Sequence, residues 1–452
     1  MRTTVFLILK TVAGGRRTLD SAVEAYLTKQ RLPDRRDRGL ATSIVYGVLR
    51  WQNTLDWYIR RFSKTPFHKI SPDVRIVLRM GLFQLFYLDR VPDFAVVDAA
   101  VSLTRHQAKK PHLTGFVNGV LRNAARRRHQ LPLPPDTEEA AALAVTKSFP
   151  AWLLERWIIR YGVNETKHLC DRMNMIPPVT VRVNTMKTNH ETLRAALKPR
   201  VREVSAAMQA PDALLLDCLE VPVSELKGFK EGWFQVQDEA AQLVCRFMAP
   251  RPEDRVMDAC AGLGGKTGYI AQLMKNRGEI TAVDHDTGKL KTLQGDMGRL
   301  GVRNVITRVQ NLLQAVPKGQ KEQYDRIFAD CPCSGAGVIR RNPDIKWSLT
   351  RKDLVRHQAG QMRILNTLAP MVRPGGYLIY AVCSREMEEN EYVVHGFLNK
   401  HKEFDIEKKH DRPAEEQDPC LDGFVGKNGF YRTMPHPDGM DGFFGVRLRK
   451  RR

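Results

Sequence analysis

Residues 330 to 337 read DCPCSGAG and residues 381 to 384 read AVCS, which places Cys331, Cys333 and Cys383 in two short loop-like stretches. Cysteines in such settings act as metal ligands, as halves of a disulfide, or as thiols that carry out chemistry. The chain has 8 cysteines, Cys170, Cys218, Cys245, Cys260, Cys331, Cys333, Cys383 and Cys420, irregularly spaced and absent from the first third. That is not a disulfide framework. A bridge between Cys331 and Cys333, with one proline between them, would be strained, and no C-x-x-C pair is present to start a zinc site. Reactive or ordinary buried thiols remain.

Thiols that act together need a scaffold, and from about residue 250 the pattern supplies one. Short apolar runs, DRVMDAC, EITAVDHD, NVITRVQ, DRIFADCP and GYLIYAVCS, alternate with helical or loop segments. Such alternation predicts a doubly wound parallel sheet whose ligands bind at the carboxyl ends of the strands, and Cys331, Cys333 and Cys383 all fall at such ends. MDACAGLGGKTG (257 to 268) follows a strand and precedes a helix, so its backbone N–H groups can approach a nucleotide-like ligand at a helix N-terminus. It is not a P-loop, because Cys260 stands where the first glycine is required, and Thr267 breaks the G-x-G-x-x-G pattern. Asp284, ending the next strand, is placed to accept hydrogen bonds from ribose hydroxyls.

Before this region the chain is organised differently. Residues 17 to 130 alternate helical patterns with polar turns; Ile76, Met80, Phe83 and Tyr87 share one helical face and are expected in a core. QLPLPPDTEE (130 to 139) reads as an interdomain linker. FPAWLLERWIIRYG reads as a helix, VTVRVNTMK as a strand and HETLRAALK as a helix, giving a small α+β unit. The expected domains are 1–135, 145–235 and 236–452.

With 452 residues, 42% hydrophobic and 27% charged, the composition is that of a soluble globular protein of two or three domains. VFLIL, residues 5 to 9, is too short for a signal-peptide core or a membrane span, so a cytoplasmic protein is expected. The net charge of +22 is uneven: residues 1 to 130 hold 24 Lys and Arg against 9 Asp and Glu. That excess favours a polyanion, and nucleic acid over lipid, because no amphipathic basic helix or lipidation signal is evident. RLPDRRDR (31 to 38) and LRNAARRR (121 to 128) are each either a solvated face or an RNA contact. Arg340, Arg341 and Lys346 in VIRRNPDIKW suit phosphate contact, whereas Trp347 reads as core.

DACAGLGGKT, AVDHD, DRIFADCPCSGAGVIRRNPDIKW and YAVCSREMEENE resemble the successive motifs of the S-adenosylmethionine-dependent RNA cytosine-5 methyltransferases. RVNTMKTN, GWFQVQDEAAQ and DGMDGFFGVRLRK are similar to the bacterial RsmB-type branch, and YGVLRWQNTLDWYI with GFVNGVLRNAARR to its NusB-like helical domain. The resemblance implies three parts: an all-α NusB-like RNA-binding domain, a small α+β RNA-binding unit, and an α/β doubly wound, Rossmann-like methyltransferase domain. It implies methyl transfer from S-adenosylmethionine to carbon 5 of a cytosine in 16S rRNA, cytosine 967 in the usual numbering, by a monomer that needs no metal. Cys383 is then the nucleophile, Cys333 assists release, and Asp330 hydrogen-bonds the cytosine edge. Cofactor contacts fall to Cys260, Ala261, Gly262, Leu263, Gly264, Gly265, Lys266, Asp284, Asn311 and Asp330. Lys266 either lowers a thiol pKa and orients the base or is a structural helix-start residue. Three positions depart from the family pattern. Gly262-Leu263 stands in place of Ala-Pro, Asn311 in place of an aspartate, and Cys331 where a small non-thiol residue is usual; Cys331 is assigned no role. A non-catalytic NusB-like RNA-binding factor, and the same chemistry on tRNA or another rRNA site, are the competing readings.

Overall fold

The computed structural model describes residues 1–28, 35–131, 133–134, 139–314, 321–436 and 440–452. Residues 31–34 of the first basic cluster, and residues 132 and 135–138 of the expected linker, lie outside them. The chain forms two compact units, one of residues 1–175 with 339–348, the other of residues 176–338 with 349–452.

The first unit is helical. Its central helix, Pro72–Tyr87, starts on a proline, which fits the first helical turn because that N–H has no intrahelical partner. It packs against the helices Arg2–Ala13, Arg35–Arg50, Gln52–Phe62, Asp93–His106 and Thr114–Arg126. Ile76, Met80 and Phe83 are buried as expected, but so are Val74, Val77, Leu78, Leu82 and Leu85, so this helix is enclosed on nearly every side. Tyr87 at its end is partly exposed and stacks on Phe83 and Trp51, with ring centroids 5.2 and 5.6 Å apart. Close approach of the Arg35–Arg50 helix requires Gly47, where a β-carbon would stand 1.9 Å from the Phe83 ring. The helices Ala140–Thr146, Ala151–Tyr161 and Val163–Asn174 complete this unit around Phe149, Trp157 and Ile339.

The second unit contains two sheets. The smaller is antiparallel, with strands β1 (Val179–Val183), β2 (Val201–Ala206), β3 (Ala213–Leu219) and β4 (Phe234–Val236) in the order β2-β3-β1-β4, and the helix His190–Leu197 between β1 and β2. Asn189 caps that helix by accepting the Thr192 N–H at 2.9 Å. The larger sheet has β5 (Arg255–Asp258), β6 (Glu279–Asp284), β7 (Val305–Val309), β8 (Tyr324–Asp330) and β9 (Val372–Val382) in parallel, the five strands expected, in the order β9-β8-β5-β6-β7. Beyond β9 it continues antiparallel through β12 (Phe444–Lys450), flanked by β10 (Phe404–Ile406) and β11 (Phe430–Arg432). The sheet is therefore mixed, not purely parallel. β5 and β8 are neighbours from which the chain winds in opposite directions, so a crevice opens at their carboxyl ends.

Behind the sheet lies a buried ion cluster. Arg326 on β8 bonds Asp254 at 2.7 Å and Glu416 at 2.5 Å, and Arg447 on β12 also bonds Glu416. Burial alone would raise the Glu416 carboxyl, yet Arg326 and Arg447 hold it down to about 2. Among the described residues no helix is long and apolar enough to cross a membrane.

Candidate active site

β5 ends at Asp258, and a short turn leads into the helix Gly265–Leu273. Gly262 and Gly264 have φ of +56° and +86°, a region that side chains with a β-carbon rarely adopt. The Gly262 N–H donates to Asp284 Oδ2 at 3.0 Å, and Asp284 Oδ1 accepts the Asp286 N–H at 2.9 Å. Asp284, buried at the end of β6, thus holds the glycine turn; His285 Nδ1 also lies 3.3 Å from Oδ1, and Oδ2 keeps a further lone pair. A β-carbon built at Gly262 or Gly265 would meet nothing within 4 Å, so the turn faces open space. Beneath it, Thr267 Oγ1 donates to Asp258 Oδ2 at 2.7 Å, and burial pushes the Asp258 carboxyl up to about 6. Leu263 is exposed; Asn311, just after β7, is exposed too, its Oδ1 accepting the Leu313 N–H at 3.0 Å.

β8 ends at Asp330, whose Oδ2 lies 2.6 Å from Lys266 Nζ. Burial works against the Lys266 ammonium, but the Asp330 charge outweighs it and keeps that ammonium above the usual lysine range, with a smaller contribution from Cys383. Lys266 also lies 5.3 Å from the Phe443 ring centroid. Cys331 is buried, and its thiol is pushed well up by a hydrogen bond with Cys260 and by burial, so Cys260 of the glycine turn is engaged with the departing residue at 331.

Cys333 and Cys383 converge, with their sulfurs 3.3 Å apart. Backbone bonds fix the loops that carry them. The Gly337 N–H donates to the Cys383 carbonyl at 2.9 Å, and the Gly442 N–H to the Gly337 carbonyl at 3.0 Å. The approach needs glycine at 337, since a β-carbon there would lie 2.0 Å from the Gly442 oxygen. The hydrogen bond with Cys383, then burial, hold the Cys333 thiol well above the ordinary range, with Glu389 and Asp330 adding to the effect.

Three further sequence candidates lie elsewhere. The segment Ile339–Ser348 belongs to the helical unit, not to the unit of the paired thiols. Arg340 and Lys346 are each 1% exposed. Lys346 Nζ donates to the carbonyls of Arg50 and Ser148, both at 3.1 Å, and to Asn174 Oδ1 at 2.6 Å, and burial lowers its pKa well below the usual range. This corrects the expectation that Arg340 and Lys346 present charge to phosphate, because both are enclosed by protein. Arg341 is partly buried, and Trp347 lies against the helical core, its Nε1 donating to the Leu49 carbonyl at 2.7 Å.

Family models match three successive parts of the chain. The family model "16S rRNA methyltransferase RsmB/F" matches residues 245–449, the NusB family model residues 1–126, and an RsmF/B-like ferredoxin-like domain residues 149–223. A probable ribosomal RNA small subunit methyltransferase B of Bacillus subtilis (strain 168) is 36% identical, aligned over 92% of this chain and 91% of its own. The chain belongs to the RsmB/F family of 16S rRNA methyltransferases. A relative of the same name from Synechocystis sp. is 35% identical over 99% of each chain. The crystal structure of PH0851 is 26% identical, with a TM-score of 0.80 over 99% of this chain and 98% of that one.

As an RsmB/F enzyme the chain uses S-adenosylmethionine, and the site fits it. The glycine turn leaves room for the cofactor beside a helix N-terminus, and the buried Asp284 carboxylate has a lone pair left on Oδ2 for a ribose hydroxyl. Membership also decides for an enzyme over a non-catalytic RNA-binding factor.

Proposed function

We propose that this RsmB/F enzyme methylates carbon 5 of a cytosine in 16S rRNA through a covalent cysteine adduct; the observation that carries the reading is the 3.3 Å approach of Cys333 and Cys383. S-adenosylmethionine supplies an electrophilic methyl group. Gly262, Gly265 and Asp284 would hold the cofactor, with contributions from Asp330 and Asn311.

Carbon 5 of cytosine is too weak a nucleophile to take that methyl group unaided. Cys383, as thiolate, adds to carbon 6, and the ring double bond's electrons make carbon 5 nucleophilic. Lys266, kept charged by Asp330, stabilises negative charge near Cys383. Asp330 can also receive a hydrogen bond from the amino edge of the base.

The raised pKa of Cys333 suits a two-stage sequence. While Cys383 is an anion, Cys333 holds its proton, because the Cys383 sulfur is the largest cause of its upward shift. Once Cys383 is bonded to carbon 6 that largest cause is gone, which favours loss of the Cys333 proton to solvent against the burial, Glu389 and Asp330 that still oppose it. Cys333 then takes the proton from carbon 5, the bond from sulfur to carbon 6 breaks, and Cys383 leaves as thiolate. Both sulfurs return to their starting states, with one proton released per methyl group.

The test is a pair of substitutions. Cys383→Ala should bind RNA and cofactor but form no covalent species, whereas Cys333→Ala should methylate once and stay attached to its RNA. Denaturing electrophoresis with labelled RNA separates the two. A trapped adduct in Cys383→Ala and none in Cys333→Ala would reverse the assignment. The target nucleotide, cytosine 967 by resemblance, is read by bisulfite sequencing of 16S rRNA from a deletion strain. Persistence of methylation there would redirect the proposal to another rRNA or tRNA site.

A further inference from the structure

The motif that supplies Cys383 continues as SREMEENE, and one of its carboxylates is unlike the rest. Glu389 is fully buried, and among the described residues no cation pairs with it. A charge in that position is tolerable only when donors saturate it, and four do. Oε1 accepts the Ser334 N–H at 2.7 Å and Gln361 Nε2 at 3.2 Å; Oε2 accepts the hydroxyls of Ser334 and Ser384. The Tyr380 hydroxyl donates to the Glu389 carbonyl at 2.6 Å, which fixes the backbone from which the side chain reaches.

The identity of those donors matters. Ser334 immediately follows Cys333, and Ser384 immediately follows Cys383. Gln361 Nε2 also donates at 3.1 Å to the carbonyl of Pro332, the residue just before Cys333. One carboxylate is therefore bonded beside both thiols, and Gln361 braces it against the Cys333 loop. We propose that Glu389 is a positioning residue for methyl transfer, a buried carboxylate that ties the Cys333 loop to the Cys383 loop and sets the separation of the two sulfurs. This rests on the proposed thiol chemistry.

A carboxylate suits the position better than an amide. Both oxygens of a carboxylate accept, whereas a glutamine keeps one acceptor: with its oxygen toward the Ser334 N–H and Gln361 Nε2, its NH2 group meets the Ser334 and Ser384 hydroxyls, which must then turn from donating to accepting. The charge also acts at a distance. The groups facing Cys333 are Cys383 from the end of β9, Asp330 from the end of β8, Glu389 itself and the buried phenol of Tyr380, with Lys266 facing Cys383 from the helix that begins at Gly265. Removing the negative charge of Glu389 should let Cys333 ionise at lower pH.

The experiment uses the full-length enzyme and Glu389→Gln. Methyl transfer per folded molecule should fall at least tenfold in kcat, with KM for RNA and for S-adenosylmethionine within twofold. Separately, and with no RNA present, iodoacetamide labelling of Cys333, followed by peptide mass spectrometry across pH, should show its midpoint moved down by at least half a unit. A side chain that merely keeps the domain folded would lower the active fraction and leave both kcat per folded molecule and the labelling midpoint unchanged; either of those results overturns the proposal. If Glu389→Gln does not fold, Gln361→Ala should give a smaller kcat loss at constant KM, and no loss there overturns it. Labelling requires no methyl transfer, so failure of the catalytic reading leaves this part of the test intact.

Discussion

At the scale of the residue, Asp284 holds the glycine turn through the Gly262 N–H and is the proposed acceptor for the cofactor's ribose. Asp284→Ala should weaken S-adenosylmethionine binding by about 1.5 to 3 kcal/mol, the usual range for hydrogen bonds to a charged acceptor, as measured by calorimetry. An unchanged affinity would remove Asp284 from the cofactor site. Cys333, Cys383, Asp284 and Asp330 were legible because each ends a strand or lies just beyond one, where a parallel sheet collects its ligand groups. Lys346 and Arg340 misled for a physical reason: long cationic side chains are almost never fully enclosed, so their types argued for solvent and phosphate. Only the three acceptors around Lys346, scattered at residues 50, 148 and 174, show otherwise. Glu389 was illegible because four glutamates crowd residues 386 to 391, and nothing in their order says which one turns inward.

Among the elements, helix packing in the first unit depends on a missing side chain. Gly47→Ala would drive a methyl group into the Phe83 ring, and overpacking of this kind typically costs about 1 to 3 kcal/mol. A lower Tm in calorimetric scans is expected, and an unchanged Tm would mean that Phe83 moves aside freely. In the second unit, Glu416 ties β8 to β12. Its carboxyl titrates at about 2 in the folded protein against an ordinary value of 4.5, so its contribution is complete above pH 4.5 and is lost as pH falls toward 2. Glu416→Gln should lower stability at neutral pH and flatten the decline of Tm across that acid window; a parallel decline in both proteins would exclude Glu416 as its source. The five parallel strands were readable from apolar runs with helical spacers. β10, β11 and β12 were not, because two of them span three residues each and β12 carries Arg447, a charged residue that faces the buried cluster.

For the whole molecule, charge is the property that sequence reads most directly and geometry then sorts. Of the cluster at 121 to 128, Arg122, Arg126 and Arg127 are exposed, whereas Arg128 faces Asp89 and Asp93. If the helical unit supplies RNA affinity, replacing the three exposed arginines with glutamine should weaken rRNA binding and reduce the slope of log K against log salt by roughly 2, since fewer counterions are released. An equal slope would leave those arginines as a solvated face. Truncation is a poorer probe, because the helical unit takes Ile339–Ser348 from far along the chain. That borrowing has a consequence for biosynthesis. When residue 175 has left the ribosome, Leu49, Arg50, Ser148 and Asn174 still lack the side chains of Lys346 and Trp347. At about 5 to 20 residues per second, the missing piece arrives roughly 10 to 30 seconds later. The N-terminal unit must wait with an open seam while the strands carrying the glycine turn and Cys333 are being made, so its completion becomes a checkpoint that the nascent chain passes only after most of the catalytic unit exists.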